Sequence, residues 1–221
     1  MTKPSHPLTR IQARRREKIL EAALEVFSTH GFRGSTIDQI AVAADMSKPN
    51  LLYYFKNKET IHIQLIQRLL DDWLQPLRDL DPEGDPLSEL RAYIRRKIDM
   101  ARDFPREGRL FTNEILQGAP HTLDILQKML KPLVDEKVGV LEAWMEAGHM
   151  VRTNPYHLIF SLWATTQHYA DFDVQVRTVL GHGHDGDERF DDAARFLEQL
   201  YVHGLSPLPT GGKSTSGQEL T

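Results

Sequence analysis

Cysteine is absent from the 221-residue sequence, so neither disulfide bonds nor thiolate chemistry contribute to the fold or to any activity. No apolar run reaches the roughly 18 residues that a membrane-spanning helix requires. The N-terminal stretch MTKPSHPLTRIQARRR is basic, but no apolar segment follows it, and it is therefore not predicted to be a secretory signal. These absences favour a cytoplasmic protein that has no membrane partner.

Sequence patterns of enzymes are absent as well. There is no glycine-rich phosphate-binding loop and no recognisable catalytic triad. His182, His184, Asp185 and Asp187 are residue types that bind metals, but they lie in a glycine-rich segment that is typical of a solvated loop. We therefore predict that the protein is not an enzyme and has neither a metal nor a cofactor.

The charge is divided unevenly along the chain, although the formal net charge is only −4. Ten Lys or Arg and six Asp or Glu residues give segment 1–60 a net charge of +4, so the remaining 161 residues carry −8. A basic N-terminal segment on an acidic body is typical of a part that binds a polyanion. A solvated basic tail would have the same charge, so charge alone leaves both interpretations open.

Apolar residues recur at helical spacing almost throughout, whereas strand-like alternation persists nowhere. This pattern predicts an all-α fold with about nine helices. Gly31 is expected to end the first helix, and Pro49 fits the first turn of the third, where its missing N–H costs little. Short helices are predicted after Ser35 or Thr36 and after Ser47. Longer helices are predicted over 9–30, 57–80, about 87–104, 106–117, 122–147 (with a kink at Pro132), 154–180 and 187–203.

Composition also suggests a domain organisation. Residues 1–56 are predicted to form an N-terminal arm and a helix-turn-helix DNA-binding domain, because a tight connection at ADMS joins two short helices. Residues 57–204 are predicted to form an effector-binding and dimerisation domain. Gly, Ser, Pro and Thr dominate residues 205–221, which are predicted to be a disordered tail.

The segment DMSKPNLLYYF at 45–55 has side chains suited to reading DNA. A helix of this length fits the major groove, where an amide such as Asn50 can make paired hydrogen bonds to a base edge. Leu51, Leu52 and Phe55 are then expected to supply the packing. The predicted DNA contacts are Thr36, Ser47, Lys48, Asn50, Tyr53, Tyr54 and Lys58, with Arg14, Arg15 and Arg16 as further arm contacts. The alternative is a small helical subdomain with ordinary exposed polar residues.

The segment TIDQIAVAADMSKPNLLYYFKNKET resembles the N-terminal signature of TetR-family transcriptional regulators, with matching positions over about residues 15–62. The resemblance implies an all-helical homodimer that binds palindromic operator DNA and carries a small-molecule effector site in its C-terminal domain. At positions 49 and 50, where a pair of small residues is commoner in the family, this sequence has Pro49 and Asn50. The operator sequence is therefore not carried over.

Two segments of the C-terminal half, RLFTNEILQGAP (109–120) and HLIFSLWATTQHYADFDVQV (157–176), resemble the RutR-type subgroup of pyrimidine-utilisation regulators. The effector of this subgroup is uracil. The resemblance implies a repressor of pyrimidine-catabolism genes that uracil releases from DNA. Two alternatives stay open: a repressor of the same fold for a different aromatic or apolar effector, and a helical enzyme acting on a small heterocycle.

The candidate effector-binding residues centre on one helix face. Trp163 and Gln167 are four positions apart, so an indole that can stack on a pyrimidine lies beside an amide that can pair with it. The full predicted set is Trp163, Gln167, Arg109, Phe111, Asn113 and Glu114. Trp163 has an alternative role in core packing, and Gln167 can be a buried amide satisfied by the backbone. Arg109 and Glu114 can instead pair with each other.

The two last helices are predicted to be apolar on more than one side. One side is expected to face the effector, and the other to form a four-helix bundle with a second chain. The stripe expected at this dimer seam is Phe190, Ala194, Leu197 and Tyr201. The run RAYIRRK at 91–97 is predicted to be a solvated helix face.

Overall fold

A computed structural model describes residues 9–181 and 186–207. In these two ranges the chain forms ten helices and no strands, which confirms the prediction of an all-α fold. The predicted tail lies outside the described residues from position 208 onward, as do His182, His184 and Asp185. Within the described ranges, no helix combines the length and the apolar character that crossing a membrane would need.

The helices are labelled in chain order. The first six are α1 (Arg10–Gly34), α2 (Ile37–Ala43), α3 (Lys48–Tyr54), α4 (Lys58–Arg78), α5 (Pro86–Asp103) and α6 (Pro105–Leu116). Three continuous segments, Leu123–Ile125, Leu126–Leu130 and Lys131–Glu146, together form α7. The last three are α8 (Pro155–Asp171), α9 (Asp173–Leu180) and α10 (Glu188–Leu205).

Local sequence explains where the N-terminal helices begin and end. Thr36 and Ser47 cap α2 and α3, and each side-chain oxygen accepts a hydrogen bond from a backbone N–H of the first turn. Pro49 lies in the first turn of α3, as predicted. Gly31 interrupts α1 with φ 66° and ψ 172°, a conformation in the positive-φ region that glycine tolerates. The predicted end of the first helix is thereby confirmed.

Two hydrophobic clusters organise the molecule. The first joins α1–α3, called the head below, to the N-terminal half of α4 through Ile61, Leu65, Ile66 and Leu69. The second contains the C-terminal half of α4 together with α5, α7, α8 and α10. Helix α4 therefore begins near the predicted boundary after residue 56, but it packs in both clusters.

Two long helices differ from their predicted course. Helix α8 ends at Asp171, and Phe172 separates it from α9, whereas the sequence predicted one helix over 154–180. No Gly or Pro marks this break. Just after the break, Asp173 accepts a 2.8 Å hydrogen bond from Arg189 of α10. In α7, the predicted irregularity at Pro132 is a π-helical segment over Leu126–Leu130, just before the proline.

The stripe predicted to form a dimer seam is used inside the chain. Phe190, Ala194 and Leu197 are buried in the second cluster, where α10 packs against α5. Tyr201 is half-buried, and its hydroxyl lies 3.1 Å from Thr165 Oγ1. The prediction was wrong for the three buried residues because helical spacing shows which residues share a face but not which helix covers it.

Candidate functional sites

The outer surface of α3 presents polar side chains from a firmly packed helix. Leu51 is fully buried in the first cluster, whereas Lys48, Asn50 and Tyr53 are exposed, Tyr53 to 72 %. The rings of Tyr53 and Tyr54 meet edge to face, with centroids 5.1 Å apart. Leu52 was expected to pack, but it is 39 % exposed and lies on the outer surface too.

Three cations predicted to touch DNA have partners within the protein. Lys48 forms a 2.9 Å ion pair with Asp38, and both side chains are at least half exposed. Arg16 donates to the carbonyl of Tyr54 at 2.7 Å and lies 4.2 Å from the ring of Phe55, so it holds the end of α3 against α1. These contacts give Arg16 a structural role, and its predicted arm contact with DNA remains a prediction.

Lys58 is the third of these cations, and its ammonium caps the end of α1. It donates to the carbonyl oxygens of Phe32 and Ser35 at 2.7 Å each and lies 4.3 Å from the centroid of the Phe32 ring. Burial lowers the pKa of Lys58 below its ordinary value. These contacts give Lys58 a structural role, and its predicted phosphate contact remains a prediction.

A cavity of about 190 Å³ lies between α4, α5, α6, α7 and α8, and is called the central cavity below. Its wall is largely apolar, and the rings of Trp73 and Phe111 stack in it with centroids 6.4 Å apart. The lining residues are Leu70, Trp73, Leu74, Leu77, Tyr93, Lys97, Phe111, Thr112, Ile115, Leu116, Leu130, Trp163 and Gln167. Such a cavity, apolar with a few polar groups, is typical of a small-molecule site.

Trp163 and Gln167 both line the central cavity, and both are held by polar contacts. The indole Nε1 of Trp163 donates to the hydroxyl of Tyr93 at 2.7 Å. The amide Nε2 of Gln167 donates to Asp171 Oδ1 at 3.0 Å, and within the described residues its Oε1 accepts no hydrogen bond. Gln167 Oε1 is therefore available to accept a hydrogen bond at the cavity. The bond from Nε2 to Asp171 orients the amide group.

Lys97 is a charged cavity residue that the sequence did not indicate. Its side chain is only 6 % exposed, and its Nζ lies 5.7 Å from the Trp73 ring without a hydrogen bond to any described residue. Burial lowers the pKa of Lys97 to about 7.

The prediction of a solvated face over 91–97 was wrong for Tyr93, Ile94 and Lys97. The helical spacing of Leu90, Tyr93, Ile94, Lys97 and Ala101 is the pattern that indicates this buried face.

Of the remaining predicted effector residues, only Phe111 is among the lining residues of the central cavity. Phe111 lines it, but Arg109 and Asn113 are exposed on other faces of α6. Glu114 is 4 % exposed and binds His62 and His121, so the alternative Arg109–Glu114 pair does not form. Because successive helical residues project about 100° apart, one helix cannot aim all four of these side chains at one cavity.

A packed helix-turn-helix with an exposed polar helix, joined to a helical body, defines a DNA-binding transcriptional regulator. Residues 19–65 match the model of bacterial regulatory proteins of the tetR family, and residues 66–208 match that of the YcdC-like protein C-terminal region. The chain belongs to the TetR family.

Similar proteins are regulators too. The chain is 40% identical over 199 residues to the HTH-type transcriptional regulator RutR of Escherichia coli (strain K12), covering 90% of this chain and 94% of RutR. It is 32% identical over 136 residues to the HTH-type transcriptional repressor NicS of Pseudomonas putida (strain KT2440), covering 61% and 63% of the two chains. The relatives are regulators, which confirms the prediction that this protein is not an enzyme.

Solved structures share the fold. A TetR-like transcriptional regulator from Rhodococcus sp. RHA1 aligns with a TM-score of 0.65 at 24% identity, covering 90% of this chain and 98% of that one. The ketosteroid transcriptional regulator KstR2 of Mycobacterium tuberculosis aligns with a TM-score of 0.69 at 19% identity, covering 87% and 95%. At these identities the likeness concerns the fold alone.

Proposed function

We propose that this regulator is a repressor of pyrimidine-catabolism genes and that uracil, bound in the central cavity, releases it from operator DNA. The observation that carries the proposal is the meeting of Gln167, Lys97 and the aromatic rings of Trp73, Phe111 and Trp163 around one small cavity. The resemblance of segments 109–120 and 157–176 to the pyrimidine-utilisation subgroup supports the same ligand.

The chemistry of uracil fits these groups. Uracil is a flat, neutral ring whose N–H donors alternate with carbonyl acceptors. The free Oε1 of Gln167 can accept from a ring N–H, and the amine of Lys97 can donate to a ring carbonyl. An aromatic side chain that stacks on a base contributes on the order of 1–3 kcal/mol. Polar edge contacts thus supply specificity, while stacking supplies a large part of the affinity.

A second candidate is a larger aromatic or apolar effector. Most of the lining is apolar, with Leu70, Leu74, Leu77 and Leu130 among the wall residues. An apolar effector would use this wall and leave the amine of Lys97 unpaired. Burying an unpaired polar group costs free energy, so the polar residues favour a ligand with hydrogen-bonding edges.

Helix α6 provides a route from the cavity to the head. Phe111 and Thr112 line the cavity, while Leu110 packs in the first cluster with the head residues. At the start of the same helix, Arg106 donates to Glu21 and Glu25 of α1 at 2.9 Å each. A shift of α6 on effector binding is therefore transmitted to α1. A coupling of about 1–3 kcal/mol suffices for regulation, and it acts equally in both directions.

The protein acts, in this proposal, as a cytoplasmic homodimer on palindromic DNA. Helices α8 and α10 expose Phe160, Phe196 and Leu200, which are large apolar side chains that a second chain can cover. A two-fold dimer presents two α3 helices to successive major grooves, about 34–36 Å apart. Effector binding that changes this separation would weaken the complex with DNA.

Fluorescence anisotropy with promoter DNA from upstream of the protein's own gene tests the proposal. Uracil should raise the Kd for DNA about 5–150-fold, and operator DNA should weaken uracil binding by the same factor. Two matched ligands serve as controls. Cytosine differs from uracil at one hydrogen-bonding edge of the ring, and thymine differs by an added methyl group. Release by an unrelated aromatic compound, with no effect of uracil, would favour the second candidate.

A further inference from the structure

A cluster of His62, Glu114 and His121 lies between the head and the effector-binding half. His62 Nε2 is 3.0 Å from Glu114 Oε2, and His121 Nδ1 is 3.3 Å from the same oxygen. The three side chains place one nitrogen or oxygen atom each within 4.8 Å of the other two. His62 is 1 % exposed, so the cluster is part of the interior rather than a solvated surface group.

The separations in this cluster suit a tetrahedral metal ion. Zn²⁺ binds imidazole nitrogen and carboxylate oxygen at about 2.0–2.1 Å, which at tetrahedral angles places two ligand atoms about 3.3 Å apart. The two hydrogen-bond distances to Glu114 Oε2, 3.0 and 3.3 Å, are close to that spacing, and the third separation, within 4.8 Å, would shorten when an ion binds. Two histidines and one glutamate also form a recurrent protein ligand set for zinc, with a fourth position left for water.

The electrostatics of the cluster favour a cation as well. Among the described residues, Glu114 pairs with neither Lys nor Arg, and only hydrogen bonds from His62, His121 and Thr122 balance its buried charge. Glu114 Oε2 contacts both histidines and is therefore the carboxylate oxygen placed to coordinate an ion.

His62 meets the cluster through one ring nitrogen, Nε2, which lies 3.0 Å from Glu114 Oε2. Its Nδ1 is buried without a hydrogen-bond partner. In the absence of an ion, Nε2 carries the proton that bonds to Glu114, so coordination through Nε2 would move the ring proton to Nδ1.

The turn after α6 brings the third ligand to the carboxylate. Gly118 and Ala119 both have positive φ, 85° and 54°, and the backbone N–H of His121 donates to Glu114 Oε1 at 2.9 Å. A non-glycine residue in the left-handed region costs free energy, and such strain clusters at ligand sites. The turn therefore holds His121 next to Glu114, although the positive φ of Ala119 costs free energy.

We propose that His62, Glu114 and His121 form a binding site for a divalent transition metal ion, with Zn²⁺ as the fitting probe. The site would join α4 and α6 next to the head, because the ring of Phe32 lies 4.2 Å from His121 and 4.8 Å from His62 by centroids. The ion would thus stabilise the junction through which α4 and α6 contact the head. This inference is independent of the effector's identity.

Zinc titration of the chelator-treated, full-length protein tests the site, with competition against a chromophoric chelator to measure affinity. One ion per chain is expected to bind. His121→Ala and Glu114→Gln should each weaken binding by more than the roughly 10–100-fold that loss of an outer-shell partner costs. Zinc should raise the thermal midpoint of the wild type and leave that of His121→Ala unchanged.

The matched control is His182→Ala with His184→Ala, since these two histidines are the metal-binding types in the loop that the sequence singled out. This double variant should retain wild-type zinc affinity. Circular dichroism establishes that each variant is folded, and His121 is the safest substitution because its side chain is partly exposed. The proposal is overturned if the wild type binds no stoichiometric zinc, if His121→Ala binds it equally well, or if the double variant loses it.

Discussion

The indole nitrogen of Trp163 donates a 2.7 Å hydrogen bond to the hydroxyl of Tyr93, joining α8 to α5 at the wall of the central cavity. Burial raises the pKa of Tyr93, so the hydroxyl keeps its proton and remains available as an acceptor for the indole. The bond fixes the plane of the ring that we propose to stack on the effector.

Removing that acceptor is expected to loosen the cavity wall. Tyr93→Phe leaves the half-buried N–H of Trp163 without its partner, which should lower the free energy of unfolding by about 1–3 kcal/mol. Urea denaturation followed by tryptophan fluorescence measures this loss. Tyr156→Phe, which removes an exposed hydroxyl bonded to Asp135, is the matched control and should change stability by less than about 0.5 kcal/mol.

The buried amine of Lys97 predicts a pH dependence of stability. The pKa of about 7 in the folded protein lies below the value of 10.5 for an exposed lysine, so the unfolded chain binds more protons between these values. Below pH 7 the lysine is charged in both states, and the folded protein bears the full cost of burying it. As the pH rises from 7 toward 10.5 this cost decreases, and the free energy of unfolding increases by at most roughly 1.4 kcal/mol per pH unit.

The variant Lys97→Met isolates this effect. It should be more stable than the wild type at pH 6–7, and the difference should shrink as the pH rises toward 10.5, because over that range the wild type regains the stability that burying the charged lysine costs. Denaturation at a series of pH values measures the difference, and Lys128→Met, which alters an exposed lysine, is the control. A constant difference between Lys97→Met and the wild type across this range would contradict the assignment.

Gln167 is expected to decide effector binding without affecting DNA binding. Gln167→Ala removes the amide donor and acceptor from the cavity, and should abolish detectable uracil binding by titration calorimetry. DNA affinity should be retained, which gives a repressor that no longer responds to its inducer. His168→Ala, a change on the exposed side of the same helix, should leave both affinities as in the wild type. Wild-type uracil affinity in Gln167→Ala would show that the effector binds elsewhere.

Gly108 allows α6 to approach α8 closely. A Cβ atom there would lie 3.0 Å from Gln167 Nε2, so Gly108→Ala must displace the amide. We expect a weakening of uracil binding of about tenfold, equal to roughly 1.4 kcal/mol. Gly139→Ala provides the control, because a Cβ atom meets nothing within 4 Å at this position in α7. That variant should keep effector affinity and gain up to about 1 kcal/mol of stability.

The outer surface of α3 is expected to carry the affinity for DNA. Tyr53→Ala and Lys48→Ala should each weaken operator binding by roughly 1–3 kcal/mol and leave folding and uracil binding unchanged. Lys58→Ala should behave differently, because loss of its bonds to Phe32 and Ser35 removes the cap of α1 and lowers the thermal midpoint. Anisotropy and thermal denaturation together distinguish the two roles. Undiminished DNA affinity in both α3 variants would place the contacts elsewhere.

Local sequence determined the head. Thr36 and Ser47 start their helices through side-chain caps, Pro49 fits a first turn, and Gly31 supplies the positive φ that interrupts α1. Each effect acts within about four residues, so it can be predicted without knowing the tertiary structure. Trp163 and Gln167 were found in the same way, since their shared face depends only on helical spacing.

Tertiary structure decided which element covers each face. Glu114 meets His62 from 52 positions away, Lys97 points into the central cavity, and Leu197 is covered by α5 of the same chain. Beside the break at Phe172, Asp173 contacts Arg189 of α10, a contact that helical periodicity does not predict. Helical periodicity determines which side chains project together, whereas the free energy of burial depends on the neighbours that packing brings to them. The amphipathic pattern therefore predicted the helices, and only their packing showed where the buried charges and the cavity lie.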